Sequence, residues 1–172
     1  EEIGASAFNQ TQINNITLPS SLTTLGRESF AACYSLTGIT IPDRVCVIPS
    51  ECFKDCSALT TVDLGAGVTT IDDLAFYGSG ITEITLGENI EAINTMAFDS
   101  TALSNVYILN PFIQIEYSSQ NDPNDPFPST ATISGVSGST TGQYATTTGK
   151  SFQAIPNMGV CGTSSYWKFD DT

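Results

Sequence analysis

The side chains with chemistry to offer in this chain are acids and thiols. Its 172 residues hold 18 Asp and Glu against 5 Lys and Arg, with five Cys and no His. Without imidazole there is no His base, no His-ligated metal and no Ser-His or Cys-His nucleophile pair. Carboxylate pairs remain as acid-base candidates, and the two that spacing suggests are Asp72 with Asp73 and Glu51 with Asp55. Each falls at a non-core position of the repeat described below, where an acid is ordinarily a solvated charge, so no catalytic residue and no enzyme activity is expected. Asp122 and Asp125 offer oxygens to a calcium ion, but two carboxylates are few ligands and Asx-Pro turns account for both. No metal site and no cofactor is expected. None of the cysteines has a neighbouring base that would make it a nucleophile. The net charge of -13 repels nucleic acid and anionic lipid, which leaves partners that tolerate or complement acid.

The positions of these residues are set by a repeat. Phe recurs at 8, 30, 53, 76 and 98, at spacings of 22, 23, 23 and 22 residues. Between these anchors the apolar residues fall into columns: Ile13, Leu36, Leu59, Ile81, Leu103; Ile16, Ile39, Val62, Ile84, Val106; Leu18, Ile41, Leu64, Leu86, Ile108. A turn former follows at Pro19, Pro42, Gly65 and Gly87, then a second apolar pair such as Val68 and Ile71. The alternating Ile-x-Leu segment predicts one short, half-buried strand per unit. The second apolar segment is read as the return of the coil toward the next Phe. A single unit cannot bury its columns, whereas stacked coils bury them continuously. The expected fold is mainly β with short helical turns: a leucine-rich-repeat solenoid of about five coils over 1–110, closed by a β-rich cap.

The column three residues after Phe reads Thr11, Cys33, Cys56, Ser79, Thr101, all small and able to hydrogen-bond. Such side chains can serve backbone groups where each coil turns, at about 1 kcal/mol per bond. Cys33 and Cys56 are therefore read as buried thiols. The alternative is a disulfide between adjacent rungs, because coils about 4.8 Å apart bring Cα atoms within bridging range. Cys52 replaces Ser29, Ala75 and Ala97 in a small-residue core column, and Cys46 is also read toward the core.

At Ser29-Phe30-Ala31-Ala32-Cys33-Tyr34-Ser35-Leu36-Thr37-Gly38-Ile39-Thr40-Ile41-Pro42 and Cys52-Phe53-Lys54-Asp55-Cys56-Ser57-Ala58-Leu59 the sequence resembles the BspA-like leucine-rich repeat family. Members are surface proteins of bacteria and some mucosal protists. The likeness covers about residues 3–109, with Cys replaced at Ser79 and Thr101 and Pro replaced at Gly65 and Gly87. It implies adhesion or protein binding at a cell surface or in a secreted protein, and carries over no residue-level binding motif.

Past Asn110 the period fails, and 121–128 reads as a turn-rich loop. Residues 131–156 predict strand, then a short helix capped by Ser139 and stopped by Gly149, then strand from Ser151. Thr132-Ile133-Ser134-Gly135, Tyr144-Ala145, Gly149 and Phe152 resemble the end segment of BspA-like proteins of Gram-positive bacteria. Residues 111–157 are thus expected to cap the solenoid, with Tyr144 and Phe152 in the cap's core. Residues 158–172, including Cys161 and Trp167, are read as a flexible tail leading to a following module of a longer protein. No run reaches the about 18–20 apolar residues of a membrane-spanning helix.

The strand positions that point away from the core form the candidate binding surface. One column holds Thr17, Thr40, Asp63, Thr85 and Tyr107; its neighbour holds Asn15, Gly38, Thr61, Glu83 and Asn105. Tyr107 is the aromatic anchor, and Asp63 with Glu83 would attract a basic patch. The expected partner is an extracellular or host protein, with polysaccharide a weaker option because the face offers one aromatic ring. A structural spacer or targeting arm is the alternative, and a monomeric fragment is expected.

Overall fold

The computed structural model describes residues 1–117, 122–160 and 166–168 of the chain. The rungs headed by Phe30, Phe53, Phe76 and Phe98 each contribute two short strands. The first set is β3 (Gly38–Thr40), β5 (Thr61–Asp63), β7 (Glu83–Leu86), β9 (Asn105–Ile108) and β11 (Thr132–Ser137). The second set is β2 (Thr24–Leu25), β4 (Val47–Ile48), β6 (Thr70–Ile71), β8 (Ala92–Ile93) and β10 (Gln114–Ile115), with β1 (Glu2–Ile3) beside β2. In the first set Ile39, Ile84 and Val106 point into the core while Thr40, Thr85 and Tyr107 point away, the alternation that period-2 patterning demands. In the second set Ile48, Ile71, Ile93 and Ile115 stack in one column. The segment read as a simple return is therefore a second parallel ladder, four strands wide in the order β10-β8-β6-β4. Strands of two residues are too short for any sequence period to reveal.

The third side of the coil is the Phe turn. The Phe30 N–H donates to the Cys52 carbonyl (3.0 Å), Phe53 to Ala75 (2.8 Å), Phe76 to Ala97 (2.8 Å) and Phe98 to Pro126 (2.7 Å). Residues two before and two after Phe8, Phe30, Phe53, Phe76 and Phe98, such as Glu28, Ala32, Glu51 and Asp55, lie in the left-handed region with φ between 52° and 67°. That conformation costs about 1–3 kcal/mol for a side chain with Cβ. It turns the N–H groups of Glu28, Ala32, Glu51 and Asp55 onto carbonyls of the next rung, so the inter-rung bonds offset the strain.

These turns place the Phe rings face to face. Phe8, Phe30, Phe53, Phe76, Phe98 and Phe127 form one stack with centroids 5.1–5.5 Å apart and planes within 10° of parallel. The stack thus passes Asn110, where the period predicts its end. Phe127 lies 29 residues after Phe98 and supplies a sixth ring from the segment read as a loop. Its N–H faces no further coil, and the Asp125 carboxylate accepts it instead at 2.9 Å.

Beyond β11 the chain forms α1 (Thr140–Thr148), with Ser139 accepting the Gly142 N–H and Gly149 left-handed at φ 74°, as the cap residues predict. β12 (Ser151–Val160) returns parallel to β11, and β13 (Tyr166–Lys168) pairs antiparallel with β12. The first ladder so becomes a five-stranded sheet ordered β13-β12-β11-β9-β7. Tyr144 is buried against Phe127, ring centroids 6.0 Å apart and edge-on. Phe152 is not in the core: it is 37% exposed and its ring lies across Gly142. Residues 161–165 and 169–172 of the expected tail, Cys161 among them, lie outside the described residues, as does the side chain of Trp167.

Candidate functional site

The outward positions of the first ladder come together on one surface. Thr40 sits beside Asp63, Gly38 beside Thr61, Glu83 beside Asn105 and Thr85 beside Tyr107. The backbone pairing continues onto β11, where Asn105 pairs with Thr132 and Tyr107 with Ser134, but Ser134 is buried, so the open face stops there. Asn15, Thr17, Thr40, Thr61, Asp63, Glu83 and Thr85 are exposed, whereas Asn105 and Tyr107 are half-buried. Parallel pairing in register sets these side chains in rows about 4.8 Å apart.

One feature of this surface lies beyond sequence reading. β5 and β7 belong to different sheets, so the strand ladder is interrupted between the third and fourth rungs. A groove of about 410 Å³ opens there, lined by Thr61, Asp63, Glu83, Thr85 and Gly87 among others. A larger hollow of about 960 Å³ crosses the first three rungs beside Thr17, Thr40, Asp43 and Arg44. Among the described residues no cation pairs with Asp63 or Glu83. The arrangement offers hydroxyl and amide groups and two uncompensated negative charges, which suits recognition of polar or basic groups.

The two carboxylate pairs sit in different surroundings. Glu51 is bound by Lys54 (2.8 Å) and by Arg27, and the Lys54 hydrogen bond leads in holding its carboxyl below the usual range. Asp72 accepts from the Asn94 amide at 3.1 Å. Burial, with Asp73 adding to it, raises its carboxyl above the usual value. Asp125, considered for calcium, is instead taken up by protein partners: Lys150 Nζ at 2.8 Å, the Tyr144 hydroxyl and the Phe127 N–H. No group of three or more potential ligands that could hold a metal ion occurs among the described residues.

The thiols follow the ladder reading. Cys33, Cys46, Cys52 and Cys56 are free, so the inter-rung disulfide is discarded. The Cys33 thiol donates to the Phe8 carbonyl (3.0 Å) and the Cys56 thiol to the Phe30 carbonyl (3.1 Å). Burial pushes the Cys52 and Cys56 thiols up to about 12. Cys46 is exposed, a correction to the core placement: it sits at the edge of the second ladder beside the exposed Val47. Sequence reasoning also missed the Asp125–Lys150–Tyr144 cluster. Its members lie 19 and 25 residues apart and only the closing of the solenoid brings them together.

The family of BspA type leucine rich repeat regions matches residues 1–122 in 6 copies. Among solved structures, the chain is similar to a leucine rich cell surface protein from Faecalibacterium prausnitzii, at 30% identity and a TM-score of 0.61. That likeness covers 71% of this chain and 32% of the other. A leucine-rich repeat protein from Bacteroides ovatus shares the fold at 18% identity and a TM-score of 0.57, covering 78% of this chain and 40% of its own. The chain thus spans 32% to 40% of the length of these proteins. No curated protein matches it.

Proposed function

Because the chain belongs to the BspA-type leucine-rich repeat family, we propose that it is a non-catalytic binding and adhesion module of an extracellular, cell-surface or secreted protein. The observation that carries this reading is the outward-facing polar row of the first ladder, with Asp63 and Glu83 flanking the groove between β5 and β7. The partner is an extracellular or host protein that presents a basic patch, drawn by the net charge of -13. The likeness to a bacterial leucine rich cell surface protein supports the location.

Area limits the strength of such binding. Five strands at about 4.8 Å and three or four residues at about 3.3 Å give a face near 300 Å². A stable interface takes about 800 Å² per partner, so this face binds weakly alone and gains by repetition along a longer array. The test is binding of the purified chain and of an Asp63→Ala/Tyr107→Ala variant to extracellular-matrix proteins and polysaccharides at two salt concentrations. Saturable, salt-weakened binding to a protein, lost in the variant, supports adhesion. Binding to nothing on the panel replaces this reading with a spacer or targeting arm.

A further inference from the structure

The Asp125–Lys150 pair has no part in the binding face, and its geometry has a chemical consequence of its own. Lys150 Nζ lies 2.8 Å from Asp125 Oδ2, and the two side chains are only 5% and 10% exposed. Asp125 Oδ1, the other oxygen, accepts both the Phe127 N–H (2.9 Å) and the Tyr144 hydroxyl. The walls are the buried rings of Phe127 and Tyr144, with Lys150 Nζ 5.9 Å from the Tyr144 centroid. A buried ion pair in such a place is costly to keep charged. An amine, a carboxyl carbon, and two donors fixed on the oxygen that would gain charge are the components of amide formation.

We propose that Lys150 and Asp125 condense into an intramolecular isopeptide bond. A proton passes from Nζ to Oδ2 across their hydrogen bond, and the freed amine attacks Cγ. The charge that develops on Oδ1 is held by the Phe127 N–H and the Tyr144 hydroxyl. Oδ2 then leaves as water with two of the three ammonium protons, so the ion pair becomes one neutral amide and one water with nothing oxidised or reduced. A cavity of about 220 Å³ bordered by Asp99, Asp122 and Thr148 adjoins the pair and receives the water. The bond ties the turn carrying the sixth Phe to the start of β12. It crosses 25 residues of chain and fastens α1 onto the end of the stack.

Intact-mass spectrometry of the purified 172-residue chain, unfolded and reduced, tests this, followed by tryptic mapping. The expected result is a chain one water lighter than its sequence, no cleavage after Lys150, and a branched peptide joining Lys150 to Asp125. Lys150→Arg keeps the ion pair without a primary amine and is expected at full mass with the same fold by circular dichroism. Asp125→Ala is likewise expected at full mass. A wild-type chain of full mass that is cut after Lys150, even after days folded at neutral pH, overturns the proposal. So does a water loss that maps to any other residue.

Discussion

Replacing Phe53 by Ala removes a ring with no solvent exposure from the middle of the stack, between Phe30 at 5.4 Å and Phe76 at 5.3 Å. Deleting a buried Phe costs about 3–5 kcal/mol through lost transfer energy and the cavity left behind. Little of that cavity can close, because the two neighbouring turns are pinned by inter-rung hydrogen bonds from Phe30 to Cys52 and from Phe53 to Ala75. Phe8→Ala supplies the internal reference. Its ring is half-buried and stacks on one neighbour, Phe30 at 5.1 Å, so roughly half the cost is expected. At about 2–4 °C per kcal/mol for a chain of this size, Phe53→Ala lowers Tm by about 6–20 °C and Phe8→Ala by clearly less. Differential scanning calorimetry with urea titration as a second probe reads both. Equal losses for the two variants, or a Phe53 loss under about 1 kcal/mol, would falsify the stack as the axis of the fold.

Two further outcomes follow from the small-residue column and the thiols. The Ser79 hydroxyl is buried without a hydrogen-bond partner, while Cys33 and Cys56 in the same column reach the Phe carbonyl of the preceding rung. Ser79→Cys is expected to stabilise the chain by about 1 kcal/mol in urea unfolding, and a destabilised variant contradicts the ladder role of these thiols. Iodoacetamide at pH 8 is expected to label Cys46 in the folded chain and to reach Cys33, Cys52 and Cys56 only after unfolding. Cys52 and Cys56, pushed up to about 12, hold almost no thiolate at that pH. Peptide mapping gives the extent at each site, and native labelling of Cys52 or Cys56 refutes their burial.

What the sequence revealed was whatever repeats or is local. The Phe, Leu and Ile columns recur at 22–23 residues and lie in the core or, as at Phe8, Ile13, Ile16 and Leu64, pack half-buried against it, and Ser139 and Gly149 cap α1 because a cap needs only its own turn. Phe127 was hidden by a 29-residue interval that breaks the period, although its ring continues the same stack. The exposed positions of Cys46, just before β4, and of Phe152, on β12, depend on which way the backbone turns each side chain, which hydrophobicity alone does not encode. The candidate face was legible as a list of outward residues from Asn15 to Tyr107. The groove was not, because it arises from backbone pairing lost between β5 and β7 rather than from any residue type.

The reading of the outward strand row as the binding face is tested most directly by placing the same charge on each ladder in turn. Thr85→Arg puts it on β7, beside the groove; Val47→Arg puts it on β4, on the other ladder, at a residue that is already 40% exposed. Both variants change net charge equally, so a purely non-specific electrostatic effect moves both alike. Binding is measured to the matrix protein that the wild-type chain holds most tightly on the panel, by surface plasmon resonance at fixed salt. The account predicts binding lost in Thr85→Arg and retained in Val47→Arg. Loss in Val47→Arg with full binding by Thr85→Arg contradicts it and moves the interface to the opposite side of the coil.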